Sequence, residues 1–177
     1  QKGYSFYSTP SLADLNNDGY LEIIASGKGS EGFATYVFNH DGTIIPGWPQ
    51  YKIWNDYYSS FPFDITGDGS LDVISTAGSG FYPSLSNHGG VYAWNSDGTL
   101  ISGFPKVTEV DAQAPAFVED IDNDGKLELV ASSSWNYDYV TNEQKSSGSI
   151  YVWELDASSN LNLMSWPMYM HDTQHTG

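Results

Sequence analysis

The chain has 177 residues, no cysteine and a formal net charge of −16, with 18 glycines and aromatics at 15%. Disulfide staples and thiolate metal sites are excluded, and six scattered Lys and Arg offer no footprint for nucleic acid or an anionic membrane. No apolar run approaches a membrane span and none keeps a helical period, so the composition predicts one turn-rich all-β domain over 1–177.

In chain order, the first informative segment is Asp14-Leu-Asn16-Asn-Asp18-Gly19-Tyr20-Leu-Glu22. Oxygen-bearing side chains stand at loop positions 1, 3, 5 and 9, with glycine at position 6. A nearly extended loop points its odd positions inward, and the glycine permits a turn that a side chain would obstruct. That is how a chain surrounds a hard cation such as Ca²⁺, which wants six to eight oxygens. Position 7 (Tyr20) contributes only its backbone carbonyl. Asp-Gly alone would also suit a plain hairpin turn.

Residues 21–25, Leu-Glu-Ile-Ile-Ala, read as a strand leaving the loop. Next come Tyr36-Val-Phe38-Asn39-His40-Asp41-Gly42-Thr43-Ile44 and Gly47-Trp48-Pro49. Alternating aromatics, an Asp-Gly turn and a second apolar run predict a β-hairpin.

The pattern then repeats. A second loop holds Asp64, Thr66, Asp68, Gly69, Ser70 and Asp72, and its hairpin runs from Tyr92 and Trp94 through Asp97-Gly98 to Phe104-Pro105. A third loop holds Asp120, Asp122, Asp124, Gly125, Lys126 and Glu128, followed by Tyr151-Val-Trp153 and Trp166-Pro167. The loops start at residues 14, 64 and 120. Three copies favour a cation cage over a polar turn. An EF-hand is excluded because position 12 is Ala25, Ser75 or Ala131, and a strand rather than a helix follows.

Each unit supplies one strand before the loop, one after it and two in the hairpin. Four-stranded units at this period predict β-propeller blades, at about 4–55, 56–110 and 111–167, with a tail at 168–177. The aromatics at Phe38, Trp94, Trp153, Trp48, Phe104 and Trp166 are expected to pack between blades. Propellers close with about four to eight blades. Three blades therefore expect either the rest of a larger propeller or a further chain, and leave an apolar face at each end meanwhile.

These loops and hairpins resemble the FG-GAP/VCBS family of calcium-binding propellers, found in integrin α-subunit heads and bacterial secreted proteins. The resemblance covers all three units. It implies that Asp14, Asn16, Asp18, Glu22 and the Tyr20 carbonyl hold one Ca²⁺. It assigns Asp64, Thr66, Asp68, Asp72 and the Ser70 carbonyl to a second ion, and Asp120, Asp122, Asp124, Glu128 and the Lys126 carbonyl to a third. The Phe-Gly and Gly-Ala-Pro signatures are absent, so the VCBS-like branch fits better. Thr66 is the poorest donor, and loop three, with four carboxylates, is expected to bind most tightly. Three ions would bring the net charge to about −10.

Low-affinity calcium modules work in the millimolar calcium outside cells, so secretion is expected. The start at Gln1 fits a processed or excised chain. Calcium loops and hairpin turns should share one face. The connections at about 27–33, 77–90 and 133–149, on the opposite face, vary in length. Phe81, Tyr82, Trp135, Tyr137 and Tyr139, with Trp54, Tyr57 and Tyr58 nearby, are candidates there for binding a glycan or protein partner. No nucleophile elbow, phosphate loop or His-Glu-x-x-His is present, so an enzyme is not expected. The expectation is a non-catalytic adhesion or recognition module. Alternatives are an accessory domain of a secreted hydrolase and a self-assembling extracellular structural subunit.

Overall fold

The computed structural model describes residues 3–53, 58–78, 89–112, 114–134 and 148–158, with backbone alone at 136–138 and 143–145. Among them there is no helix; every regular element is a strand in an antiparallel sheet.

The first sheet contains β1 (Ser5–Phe6), β2 (Ser11–Ala13), β3 (Glu22–Gly29), β4 (Gly32–Phe38) and β5 (Gln50–Tyr51). Both β1 and β2 lie along one edge of β3, β1 opposite Gly27 and Lys28, β2 opposite Glu22 to Ile24. The second sheet runs β6 (Phe61–Phe63), β7 (Asp72–Ala77), β8 (Gly89–Trp94), β9 (Lys106–Thr108) in chain order. The third comprises β10 (Phe117–Glu119), β11 (Lys126–Ser133) and, after a separate hairpin of β12 (Asn136–Asp138) and β13 (Glu143–Lys145), the long β14 (Ser149–Ser158).

Each acidic loop joins the first two strands of its unit, as the sequence predicts. The fourth strand differs from expectation. The apolar run after the Asp-Gly turn forms only single bridges, Phe38 to Ile44 and Trp94 to Leu100. The strand itself comes after the aromatic-Pro pair, where Ala34 meets Tyr51 and Gly90 meets Val107. The reason lies at Gly47 and Gly103, whose positive φ turns the chain away before it can pair further. The third unit departs too. Asp156 makes no turn; β14 continues to Ser158 and pairs with Lys126 across a bulge. Ala157 replaces the glycine of the other turns, and Leu155 and Ala157 are drawn into the core.

The sheets stack face to face through two shared cores. Ala13, Leu15, Ile24, Val37, Ile45 and Trp48 of the first pack on Val73, Ala77, Tyr92 and Trp94 of the second. The opposite side of the second, with Phe61, Phe63, Ile65, Ile74, Val91 and Ala93, packs on Val118, Leu127, Leu129 and Leu155 of the third. The middle sheet is thus covered on both faces, and every residue of β6, β7 and β8 is buried. Its polar residues Asp72, Ser75 and Thr76 are therefore buried along with its apolar ones.

Conserved geometry recurs at both junctions. The Trp48 indole stands edge-on to Trp94, 5.9 Å between centroids, and donates to the Ser96 carbonyl at 2.9 Å. Phe104 and Trp153 flank the second core in the corresponding places. The Tyr92 hydroxyl accepts the Ile53 N–H at 3.3 Å, and the Tyr151 hydroxyl accepts the Glu109 N–H at 2.9 Å. The two hairpin turns touch: a Cβ on Gly47 would lie 1.9 Å from the Asp97 carbonyl, so no side chain fits there.

The junctions differ inside. The first holds a chain of hydroxyls, Ser26 to Ser60 at 2.6 Å and Ser60 to Ser75 at 2.8 Å, ending on the buried Lys52 ammonium, which donates to Ser75. At the second junction the residues corresponding to Ser75 and Lys52 are Ala131 and Thr108, and no such hydroxyl chain forms; the Thr76 hydroxyl is buried there without a hydrogen-bond partner among the described residues.

Candidate metal centres

All three loops are folded by the same hydrogen bonds. The first aspartate receives backbone N–H groups four and five residues on. Asp18 and Gly19 donate to Asp14 at 3.1 and 2.9 Å, and Asp124 and Gly125 to Asp120 at 3.1 and 3.0 Å. Asp64 accepts three, from Gly67, Asp68 and Gly69, at 2.7, 3.2 and 2.8 Å. The ninth residue closes the loop from the far side. One carboxylate oxygen of Glu22, Asp72 and Glu128 accepts the N–H of Leu15, Ile65 and Ile121, at 2.8, 3.1 and 2.8 Å. Positions 1 and 9 are thereby tied to the loop backbone.

Position 4 is a determinant that reading the ligand positions missed. Asn17, Gly67 and Asn123 occupy left-handed backbone, with φ of 59°, 74° and 62°. Asn and Gly tolerate that region best, so the Asn, Gly, Asn series at this position was a usable signal. Position 6 has φ near 90° in each loop, as the glycine there predicted.

In loop three, Asp120, Asp122 and Asp124 bring carboxylate oxygens within 4.8 Å of one another. Among the described residues no other three His, Cys, Asp or Glu side chains converge so closely. Loops one and two present Asn16 and Thr66 at position 3, which removes the middle carboxylate. Hard oxygen donors on a short turn suit Ca²⁺ rather than a softer metal.

Burial separates the loops further. The ninth residue, Glu22, Asp72 or Glu128, is buried in every loop, but only in loop two is the first aspartate, Asp64, buried as well; Asp18, Asp122 and Asp124 are exposed. Burial pushes the Glu22 carboxyl above the usual carboxylate range, with Asp18 and Asp14 adding to the push and the Leu15 N–H opposing it. Burial pushes Asp72 up to about 7, opposed by the Ile65 N–H and reinforced by Asp64 and Asp68. Such mutually repelling carboxylates are what a bound cation would relieve.

Position 7, expected to matter only through its carbonyl, also uses its side chain. The Tyr20 ring stacks on His40 at 4.4 Å. Lys126 donates to Glu154 at 2.5 Å, and that carboxylate holds its ammonium above the usual lysine range. The first contact ties its loop to the hairpin turn after β4, and the second ties its loop to β14. The hairpin turns are fixed separately: Asp41 and Asp97 each accept from a threonine two residues on, at 2.7 Å to the hydroxyl, which lowers both carboxyls.

The registers put all three acidic loops at the sheet end where the hairpin turns lie, since Ile23 pairs with Phe38 and Val73 with Trp94. The other connections leave from the opposite end, after Gly29, Ala77 and Ser133. Of the aromatics predicted there, Phe81, Tyr82, Trp135, Tyr139, Trp54 and Tyr57 lie outside the described residues. Tyr137 sits on β12 opposite Gln144, and Tyr58 is half-buried.

Repeated antiparallel sheets of five, four and three strands, stacked face to face with an acidic loop in each, are of the β-propeller type. A family model described as an FG-GAP-like repeat matches residues 14–75 and 64–131. Each match runs from the first aspartate of one loop past the end of the next, and together they span more than half of the chain, which belongs to this family. FG-GAP repeats are of the propeller type, often bind calcium and are typically extracellular. No curated protein and no solved structure matches the chain. No helix among the described residues is long and apolar enough to cross a membrane.

Proposed function

We propose that this chain is a non-catalytic, extracellular recognition module stabilised by up to three Ca²⁺ ions along one end of its stacked sheets. The observation that carries the reading is the convergence of Asp120, Asp122 and Asp124 on a loop whose hydrogen-bonding frame recurs twice more. An ion here adds stability by binding the folded form; at ten times its dissociation constant, each site contributes about 1.4 kcal/mol. Calcium would also fix the loop ends of adjacent sheets and so stiffen the whole stack.

Residues 1–177 act as one domain in this reading, because the two cores are shared between neighbouring units. A partner, protein or glycan, binds at the end opposite calcium, through the variable connections that carry Phe81, Tyr82, Trp135, Tyr137 and Tyr139. Aromatic side chains on a rigid frame supply stacking area at low entropic cost.

Calorimetric titration tests the metal reading: saturable Ca²⁺ binding lost stepwise in Asp68→Asn and Asp124→Asn is expected, and no heat at millimolar Ca²⁺ would refute it. A glycan array tests the partner reading. Binding that disappears in Trp135→Ala and survives Asp124→Asn at saturating calcium is the expected result.

A further inference from the structure

The two sheet junctions share most of their relief. Trp48 on Trp94 has its counterpart in Phe104 beside Trp153, and the Tyr92 and Tyr151 hydroxyls each accept an N–H from the connection leading into their sheet. By these contacts alone the first sheet would fit the third as well as the second. Repeated units of this kind invite pairing out of order. One polar layer, at the centre of the first junction only, tells the two apart.

The first sheet contributes the cross-strand pair Ser26 and Thr35, with Lys52 just beyond β5. The second contributes Ser60, just ahead of β6, and Ser75 on β7. All five side chains are buried. Ser26 lies 2.6 Å from Ser60 and 3.3 Å from Thr35, and Ser60 lies 2.8 Å from Ser75 and 3.4 Å from Thr35. The Lys52 ammonium donates to Ser75, with Nζ 5.6 Å from the centroid of the Trp94 ring. Each member thus has a partner on the opposite sheet. At the second junction the same five places hold Thr76, Val91, Thr108, Ala116 and Ala131. Thr108 turns its hydroxyl to the Val110 carbonyl at 2.6 Å. Thr76, in the place of Ser26, has Ala116 and Ala131 where Ser26 has Ser60 and Ser75, and its buried hydroxyl has no hydrogen-bond partner among the described residues.

We propose that the layer of Ser26, Thr35, Lys52, Ser60 and Ser75 is an address that fixes which sheet follows which. Docked on the third sheet instead, the first would lose Ser60 and Ser75 as partners. It would bury the Lys52 ammonium and the Ser26 and Thr35 hydroxyls against Ala116 and Ala131, side chains that neither donate nor accept. A buried hydroxyl left unpaired is unfavourable, and a buried charge much more so. The groups that are satisfied in the right order therefore select against the wrong one. Buried polar groups fix register in other packed interfaces at a cost in stability; here they fix the order of repeats. None of the five belongs to an acidic loop, so failure of the metal reading leaves this inference standing.

Refolding from urea with chelator present, followed by measurement of the distance between two spin labels, tests it. The chain has no cysteine, so Ser30→Cys on the first sheet and Val107→Cys on the second, both exposed, carry the labels. The labelled parent should refold to one distance. Ala116→Ser/Ala131→Ser gives the third sheet the serines of the second, and a second distance, absent from the parent, should appear because the first sheet then has two places to dock. Lys52→Met/Ser60→Ala/Ser75→Ala erases the layer. This variant should resist urea at least as well as the parent, since apolar replacement of a buried polar set is often neutral or stabilising, and should also refold to more than one distance. A single distance in Ala116→Ser/Ala131→Ser would overturn the proposal, even if the erased variant did not fold. A single distance in a folded erased variant, or several distances in the labelled parent, would overturn it as well.

Discussion

Loops two and three share a frame and differ in where the stack places them. Loop two lies between sheets: Asp64 and Asp72 are buried, and Gly67 approaches Ala157 of the third sheet, 3.3 Å from where a Cβ would stand to its Cα. Loop three sits on the last sheet, with Asp122 and Asp124 in solvent and Ile121 half exposed beside them. Loop three has more charge to offer an ion; loop two has more to lose without one. Ligand count and burial therefore act on different quantities. Charge sets how strongly the cation is attracted, while burial sets how unfavourable the empty cage is.

The widest separation is expected on deleting the first aspartate. Asp64→Ala strips the acceptor from three backbone N–H groups inside the stack and should cost about 3 kcal/mol in urea unfolding with chelator present. Asp120→Ala leaves two such groups that water can reach, and about 1 kcal/mol is expected. Equal losses would mean that burial does not distinguish the loops.

A change of pH sharpens the contrast next. With Asp72 raised to about 7, calcium must displace a proton from loop two below that pH. Its affinity should fall roughly tenfold per pH unit on going down from 7. The ion-free protein responds with the opposite sign. The folded state holds the Asp72 proton more tightly than the unfolded chain, so this contribution is fully present below the ordinary aspartate range and is lost as pH rises through about 7. Asp72→Asn should abolish both effects, making the chelated protein more stable than the parent at pH 8 while removing one calcium from the titration. A pH-independent affinity at loop two would contradict the burial argument.

The smallest effect is reserved for loop three. Lys126 lies beside Asp124 and is paired with Glu154 in solvent. Lys126→Ser removes a positive charge from the rim and should raise calcium affinity there by roughly threefold at low salt, an advantage that fades as salt screens the pair. Calorimetry at two ionic strengths measures it.

Much of this was legible in the sequence. The glycine at position 6, the strand after each loop and the all-β fold follow from local rules, because a nine-residue loop and a two-residue periodicity are decided by neighbours in the chain. The aromatics at Trp48, Trp94, Phe104 and Trp153 read correctly as packing between sheets; Phe38 instead stacks on Tyr36 and meets Phe6 within the first sheet, and Trp166 lies outside the described residues. Position 4 was legible too, but only by asking which residues accept a positive φ rather than which donate oxygen.

Other features needed the folded chain. The fourth strand starts after Trp48-Pro49 and not within the apolar run before it, because Gly47 must bend away to meet the Asp97 carbonyl of the neighbouring turn. Asp156 reads like a turn aspartate, yet its strand runs on, since Leu155 and Ala157 gain more from the shared core than a turn would give. The pairing of Tyr20 with His40 and of Lys126 with Glu154 joins residues 20 and 28 positions apart, beyond any local rule.

The sequence by itself determined which atoms can face a cation and which segments are strands, because those depend on residue chemistry at fixed short spacings. Only the tertiary structure decided how buried each loop is, and hence that the Glu22 and Asp72 carboxyls are raised. It also left Ile121, Ile150 and Val152 exposed where the matching Ile65, Val91 and Ala93 are buried. Burial and desolvation belong to the stack as a whole, and they set loop two apart from the other two, whose ligand positions are buried alike.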